Sequence, residues 1–414
     1  MSASLPIDLW AQIFARLPAK SILRCATVSR SWYSLIKTPF FISKHLNFNY
    51  QNETHSSCFF VRSCINPREE IYEFCDDDRY LTKFVEFRAP FKSGNPFFKI
   101  IGCCNGLIFL SDDFSKNYQD LILWNPFIGR SVCLPDPNFV HFKCTFGFGF
   151  DPLRNDYKVV NIVDVGLEIV PPKVEIFRLS TRVWEDISDN ALAFSIRGRS
   201  SQACLNGAVH WVGQGMLGGE VRNFIVRFDM SKERFGMMEL PESVATLPFI
   251  CVAADVYMGS LAVVALEDNS RYSIWTMKEE SWMKQVSFIF PESAGRPFGF
   301  RGNGDVQVMT TYGQWHAYDP KGPPHYKYLG VCEFKEPNLI YSFHATPFVE
   351  SLAFLDAGAD FDDAATVQNL SFRQLMHSMI PLPSRHCSLS FRNCFLLLWA
   401  SSSADAAGNG FIDF

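Results

Sequence analysis

The hydrophobic and polar positions along this chain follow two different periods. In the first 46 residues the apolar side chains recur at about every fourth position, as in Leu9, Ile13 and Leu17, which is the spacing of one helix face. Beyond residue 55 this period largely disappears, and short runs rich in aromatic and β-branched residues alternate with Gly, Pro, Asn and Asp. The fold is therefore predicted to be mainly β with a small N-terminal α module.

The N-terminal module is predicted to contain three or four short helices. Pro18 ends the first helix, Ser21 is the expected N-cap of the second, a third covers residues 29–36, and Pro39 opens the last. A unit of this size is small for independent stability, yet it carries a surplus of apolar side chains. We therefore expect the module to dock on a partner protein.

The rest of the chain is built from a repeated unit, in which a strand, a polar turn and a second strand follow one another. Its six copies begin at Ile71, Leu121, Val174, Ile225, Tyr272 and Trp315. A second hairpin-like segment lies beside each copy, and the turn dipeptide Asn-Gly marks three of these segments. A period of about 50 residues is typical of four-stranded propeller blades. We predict a β-propeller-like domain of about six blades, closed near residues 351–355 beside the strand around 59–62.

Composition narrows the classes of function. The 40 Phe, 13 Tyr and 9 Trp favour strands, while a net charge of −5 provides no basic field for general nucleic-acid binding. The late apolar run at residues 394–400 is far shorter than the roughly 20 residues of a membrane span, and Asp8 and Arg16 interrupt any signal peptide. Thirteen cysteines without a Cys-x-x-Cys pair are expected to be reduced, in the cytoplasm or the nucleus.

No combination of residues points to catalysis. His210, His316 and His344 lie in strand contexts where a structural histidine is the expected role, and the acidic run at residues 76–78 fits a solvated hairpin turn. Neither a nucleophile elbow nor a phosphate-binding glycine-rich loop is present. We therefore expect no active site, no metal and no cofactor.

The N-terminal residues resemble an F-box. The resemblance rests on Leu5-Pro6, Arg16-Leu17-Pro18 and Ser29-Arg30-Ser31-Trp32. It implies that residues 1–46 form a helical domain that binds the Skp-class linker protein of a cullin-RING ubiquitin ligase. The residues assigned to this contact are Leu5, Pro6, Leu9, Ile13, Leu17, Pro18, Leu23, Val28, Trp32, Leu35 and Ile36. The alternative is a helical cap that packs only on its own chain.

Residues 55–356 resemble the F-box-associated, kelch-like propeller domain of plant F-box proteins. The motifs that carry this resemblance include Asn105-Gly106, Trp124-Asn125-Pro126, Phe148-Gly149-Phe150-Asp151 and His210-Trp211. The double glycine of true kelch repeats is isolated at Gly218-Gly219, so the F-box-associated family is preferred. Residues 357–414 extend beyond the resemblance, are low in complexity at their end, and are expected to form a disordered tail.

Together the two resemblances imply a non-catalytic substrate adaptor of an SCF (Skp-cullin-F-box) ubiquitin ligase. The F-box would hold the linker, and through it the ligase, while loops on one propeller face would hold an unidentified target protein. Two alternatives remain open. One is a carbohydrate-binding or carbohydrate-active propeller, and the other is a scaffold that uses its F-box outside any ligase.

Overall fold

The N-terminal module consists of four helices in the computed structural model of this protein. They are α1 (Ile7–Phe14), α2 (Ala19–Ala26), α3 (Arg30–Ile36) and α4 (Pro39–Gln51). Helices α1 and α2 each follow a proline, and the Ser29 side chain caps α3 by accepting from the Trp32 amide. The prediction of Ser21 as an N-cap was wrong, because α2 begins two residues earlier, directly after Pro18.

The structure describes residues 6–51, 57–66, 69–77, 81–95, 97–112, 120–139, 144–164, 170–196, 202–268, 270–290, 296–310, 314–322, 326–331 and 343–354. The predicted tail at 357–414 and the predicted contact residue Leu5 lie outside these residues.

From residue 57 onward the described chain forms six antiparallel sheets, one for each propeller blade. Blade 1 contains β1 (Ser57–Asn66), β2 (Glu69–Asp76) and β3 (Lys83–Phe87). Blade 2 contains β4 (Lys99–Cys104), β5 (Leu107–Ser111), β6 (Leu121–Asn125) and β7 (Arg130–Cys133). Blade 3 contains β8 (Cys144–Asp151), β9 (Asp156–Val163), β10 (Lys173–Arg178) and β11 (Val183–Asp186).

Blade 4 has its inner strand in two pieces, β12 (Ser195–Ile196) and β13 (Ala203–Leu205), followed by β14 (Ala208–Leu217), β15 (Glu220–Asp229) and β16 (Arg234–Glu239). Blade 5 contains β17 (Val252–Tyr257), β18 (Ser260–Leu266), β19 (Arg271–Lys278) and β20 (Ser281–Ile289). Blade 6 contains β21 (Arg296–Phe300), β22 (Val306–Met309), β23 (Gln314–Tyr318) and β24 (Tyr326–Val331). The predicted six-bladed propeller is confirmed.

Strand β25 (His344–Val349) closes the ring by joining blade 1. It pairs with β1 in an antiparallel register that runs from Ser57 opposite Val349 to Arg62 opposite His344. The sheet order β25-β1-β2-β3 makes the last described strand the innermost strand of the first blade. The predicted ring closure is confirmed, although the pairing strand ends at Val349, before the predicted segment 351–355, whose described residues 351–354 lie outside the sheet.

Aromatic side chains fill the space between neighbouring blades. Between blades 1 and 2, Trp124 packs edge-on against Tyr72 at a ring-centroid distance of 5.2 Å and also contacts Phe60. Between blades 3 and 4 the contact is so close that a Cβ on Gly147 would lie 2.3 Å from the Trp211 ring. The repeated aromatic positions of the sequence are therefore interblade core.

A fully buried lysine also links blades 3 and 4. The Lys158 ammonium on β9 lies 2.6 Å from Asp151 Oδ2 and 2.8 Å from Glu233 Oε1, and it donates to the Met230 carbonyl. Burial opposes ionisation of Asp151, but hydrogen bonds from Lys158, Ser231 and Arg154 hold its pKa below the usual range. The charges are therefore mutually compensated inside the ring.

The helical module is fastened to the ring through the residue that follows β25. Glu350 Oε2 accepts a hydrogen bond of 2.7 Å from the first amide of α2, at Ala19, and Asn49 Nδ2 of α4 donates to the Glu350 carbonyl. A carboxylate at a helix N-terminus satisfies a free amide and complements the helix dipole. This contact explains why α2 begins at Ala19 without a cap from a neighbouring side chain.

Residues 351–354 continue from Glu350 between the module and the ring. Asn125 Nδ2 donates to the carbonyls of Ser351 (3.0 Å) and Ala353 (2.9 Å). Gly106 has a φ of +74°, and a Cβ there would lie 2.2 Å from Ser351 Cβ, so this turn requires glycine. The closing segment thus contacts blade 2 on one side and the helices on the other.

The Glu350 contact can be tested with two substitutions. Glu350→Ala removes the acceptor for the Ala19 amide and should destabilise α2 by about 0.5–2 kcal/mol, the usual range for a helix cap. Glu350→Gln keeps a carbonyl acceptor, and because burial raises the pKa of Glu350, a neutral amide should be tolerated. Hydrogen exchange of the α2 amides is the measurement. Equal acceleration of α2 exchange in both variants would contradict the role of Glu350 as the cap of α2.

Removal of the Lys158 ammonium should destabilise the propeller strongly. Lys158→Met leaves Asp151 and Glu233 without their buried partner, which should cost about 3–5 kcal/mol in urea unfolding. Lys284→Met is the matched control, because its 2.6 Å pair with Glu267 is partly exposed and should contribute about 0–1 kcal/mol. Similar losses of unfolding free energy in the two variants would show that burial of the Lys158 ion cluster has no special effect.

The same ion cluster should make stability fall in acid. Hydrogen bonds from Arg178 and then Lys158 outweigh burial and lower the pKa of Glu233 to about 2 from its usual value of 4.5. The stabilisation is therefore present above pH 4.5 and is lost as the pH falls toward 2. Urea midpoints at pH 6 and pH 3.5 should differ less for Glu233→Gln than for the unmodified chain; equal differences would contradict this assignment.

Candidate functional site

Three of the predicted contact residues are exposed apolar side chains on the helical module. Leu9 and Ile13 are 42% and 40% exposed, and their spacing of four residues places them on one face of α1. Val28, between α2 and α3, is 57% exposed. Pro6 and Pro18 are also exposed, whereas Leu17 and Leu35 are half-buried. The module thus presents apolar side chains that its own packing does not cover.

Two of the predicted contact residues lie in the interior instead. Leu23 is 2% exposed and Ile36 is fully buried, both within the core that the module shares with the propeller. A partner could reach them only after rearrangement of the helices. We therefore assign Leu23 and Ile36 to the core that holds the helices in place, and we leave them out of the proposed contact.

Trp32 packs inside the module and is half-buried. Its ring centroid lies 4.7 Å from that of Trp10 and 5.0 Å from that of Phe14, so it joins α3 to α1. Substitution of Trp32 would therefore disturb the helices as well as any contact with a partner. Leu9 and Ile13 are better positions for a test of binding.

A buried histidine on α4 binds the segment between α1 and α2. His45 is fully buried, and burial lowers its pKa to about 4, so the ring is neutral near pH 7 and Nε2 donates to the Leu17 carbonyl at 3.0 Å. This contact fixes the Leu17-Pro18 corner against α4. Sequence reasoning missed His45 and also missed Ile7, an exposed apolar residue at the start of α1.

The module occupies the propeller face formed by the turns between the first and second strands of each blade. Tyr50 on α4 donates to Asn105 Oδ1 in the β4–β5 turn at 3.1 Å, and Asn155 of the β8–β9 turn lies beside α1 and α4. In an antiparallel blade, the loops between the second and third strands lie at the opposite end. The opposite face is thus a separate surface.

One hairpin of that opposite face carries exposed apolar side chains. Strands β14 and β15 end in a Gly218-Gly219 turn, and Met216 lies directly across the ladder from Val221. Both side chains are more than half exposed. This hairpin is therefore a candidate contact for a second protein, away from the helices.

The candidate chemical residues have structural roles. His210 is buried, its Nδ1 lies 3.2 Å from the Ala203 carbonyl, and burial lowers its pKa to about 4. Burial likewise lowers the pKa of His344, to about 3, and that of His316. Among the residues that the structure describes, no group of three His, Cys, Asp or Glu side chains could hold a metal ion. No helix in this part of the chain is long and apolar enough to cross a membrane.

Comparison with known proteins agrees with this architecture. Residues 3–44 match the F-box domain family, and residues 45–310 match the family described as the F-box associated beta propeller domain. The F-box protein CPR1 of Arabidopsis thaliana is 30% identical over 319 residues, which cover 70% of this chain and 74% of the relative.

Two further relatives from Arabidopsis thaliana match over the same share of the chain. The F-box protein At3g07870 is 30% identical over 316 residues, covering 69% of this chain and 72% of the relative. The F-box/kelch-repeat protein At3g23880 is 27% identical over 298 residues, covering 69% and 79%. The chain belongs to the F-box proteins that carry a C-terminal F-box-associated β-propeller domain.

Proposed function

We propose that this F-box protein is a non-catalytic substrate-recognition adaptor of an SCF-type ubiquitin ligase. In this proposal the helical module binds a Skp-class linker, and the propeller binds a target protein that the ligase then ubiquitinates and marks for degradation. The observation that carries the proposal is the exposure of the apolar side chains of Leu9, Ile13 and Val28 on a module whose own core is already filled. The cytoplasm or the nucleus is the proposed location.

The exposed surface could supply a useful share of the binding energy. Full burial of a Leu, Ile or Val side chain contributes about 1.5–3 kcal/mol, and these three are roughly half exposed, so each could contribute about 1 kcal/mol. The module is held to the ring through Glu350 and Asn49. A linker bound to α1 would therefore sit in a fixed orientation relative to the propeller.

We place the target on the propeller face opposite the helices. That face carries the exposed Met216 and Val221 pair, and it leaves the linker and the target on different sides of the ring. The mechanism is a raised effective concentration of the target near the ubiquitin-charged enzyme. We further propose that the F-box domain extends to the end of α4 at Gln51, beyond residue 46, and that the propeller domain begins with β1.

Linker binding can be tested by a double substitution on α1. Leu9→Ala with Ile13→Ala removes two exposed apolar side chains and should weaken binding of a purified Skp-class linker by at least about tenfold, as expected for central contact residues. Isothermal titration calorimetry gives the affinity. Leu153→Ala, at an 81% exposed position on the β8–β9 turn, is the matched control.

The thermal midpoint of the control should stay unchanged, and that of the double variant should fall only slightly, because Leu9 and Ile13 are each about 40% exposed and lie outside the buried core. An affinity of the double variant equal to that of the control would refute the proposed contact. Capture of the linker without a cullin, in a purification that retains intact ligases, would favour the scaffold that acts outside a ligase.

A further inference from the structure

Charge is strongly segregated between the helical module and the rest of the chain. Up to Gln51 the chain has one acidic residue, Asp8, against six basic residues, a net charge of +5. The whole chain carries −5, so the remaining residues together carry −10. A positively charged module on an acidic chain provides an attractive field for an acidic segment.

A groove on the module concentrates this charge beside apolar surface. It lies between α1, α4 and the β8–β9 turn and has a volume of about 730 Å³, which falls within the range of ligand pockets. Arg16, Lys44 and Phe40 line it on the module side, and Asn155 lines it on the propeller side. Phe40 is 67% exposed, with the Lys44 ammonium 5.8 Å from its ring centroid.

The two cations of the groove have no acidic partner within the described chain. Neither Arg16 nor Lys44 forms an ion pair with any residue that the structure describes. An occupant with carboxylates and one aromatic side chain would complement both the charge and the apolar wall of the groove.

The chain itself supplies such a segment close to the groove. The described residues end at Phe354, whose ring centroid lies 6.5 Å from that of Tyr157, two residues beyond Asn155 of the groove. The residues that follow include Asp356, Asp360, Phe361, Asp362 and Asp363, and the first basic residue after them is Arg373. Seven residues from Leu355 to Phe361 can span at most about 25 Å, which is sufficient to reach the groove.

We propose that residues 356–363 bind back into this groove, with Phe361 against Phe40 and the aspartates facing Arg16 and Lys44. The chain's own segment is favoured over a separate acidic peptide because its tether begins beside the groove, which gives a local concentration of about millimolar order. The bound segment would connect α1 and α4 to the β8–β9 turn and limit movement of the module on the ring. This inference does not depend on the proposed ligase function.

Carbodiimide cross-linking of the full chain tests the contact directly. The reagent joins a lysine amine to a nearby carboxylate, so peptide mass spectrometry should find Lys44 joined to one of Asp360, Asp362 or Asp363 in monomeric protein. Lys44→Arg is the control, since it keeps the charge and removes the reactive amine, and it should lose only the cross-link. Lys44 cross-links to these aspartates found only in a dimer fraction would overturn the proposal in favour of a second copy.

Hydrogen exchange provides an independent measurement. Replacement of the four aspartates at 356, 360, 362 and 363 by asparagine should speed exchange of the α4 amides severalfold at low salt. Added salt should reduce the difference between the two proteins, because the contact is electrostatic. Lys44→Arg should exchange like the unmodified chain. Equal α4 exchange in the four-asparagine variant and the unmodified chain would overturn the proposal.

Discussion

The pairing of β25 with β1 is the interaction on which the rest of this structure depends. It gives blade 1 its innermost strand and leaves no open sheet edge at the junction of the first and last described strands. It also fixes the position of Glu350 and residues 351–354, which hold the helical module and contact blade 2. Closure of the ring and placement of the F-box are therefore the same structural event.

Most of the fold could be predicted because its signals are local. The aromatic strands recur at a regular spacing, and turn residues such as Asn105-Gly106 mark the hairpins, so blade number and ring closure follow from the sequence. The cap at Ser29 is also local, since the side chain binds an amide three residues away. Each hairpin and the cap needs only a short stretch of chain to be recognised, and the blades follow from the repetition of these short signals.

The features that the sequence alone does not reveal are contacts between distant residues. The start of α2 depends on Glu350, 331 residues away, which no pattern near Ser21 could reveal. Helical periodicity identified Leu23 and Ile36 as apolar, but it could not distinguish a face that packs on the chain's own propeller from one that meets a partner. Lys158 is a similar case, because one of its acidic partners, Glu233, lies on the neighbouring blade 4 and its burial is a property of the assembled ring.

The use of the last strand to complete the first blade affects how the protein matures during translation. Cys58 and Phe348, which face each other across the closing ladder, are 290 residues apart, and at about 5–20 residues per second the ribosome needs roughly 15–60 s to synthesise that length. During this time β1 has no inner partner, and α2 lacks its acceptor at Glu350. In a nascent or prematurely terminated chain, the F-box would thus lack its attachment at Glu350. The module can therefore take its final orientation only after the ring has closed.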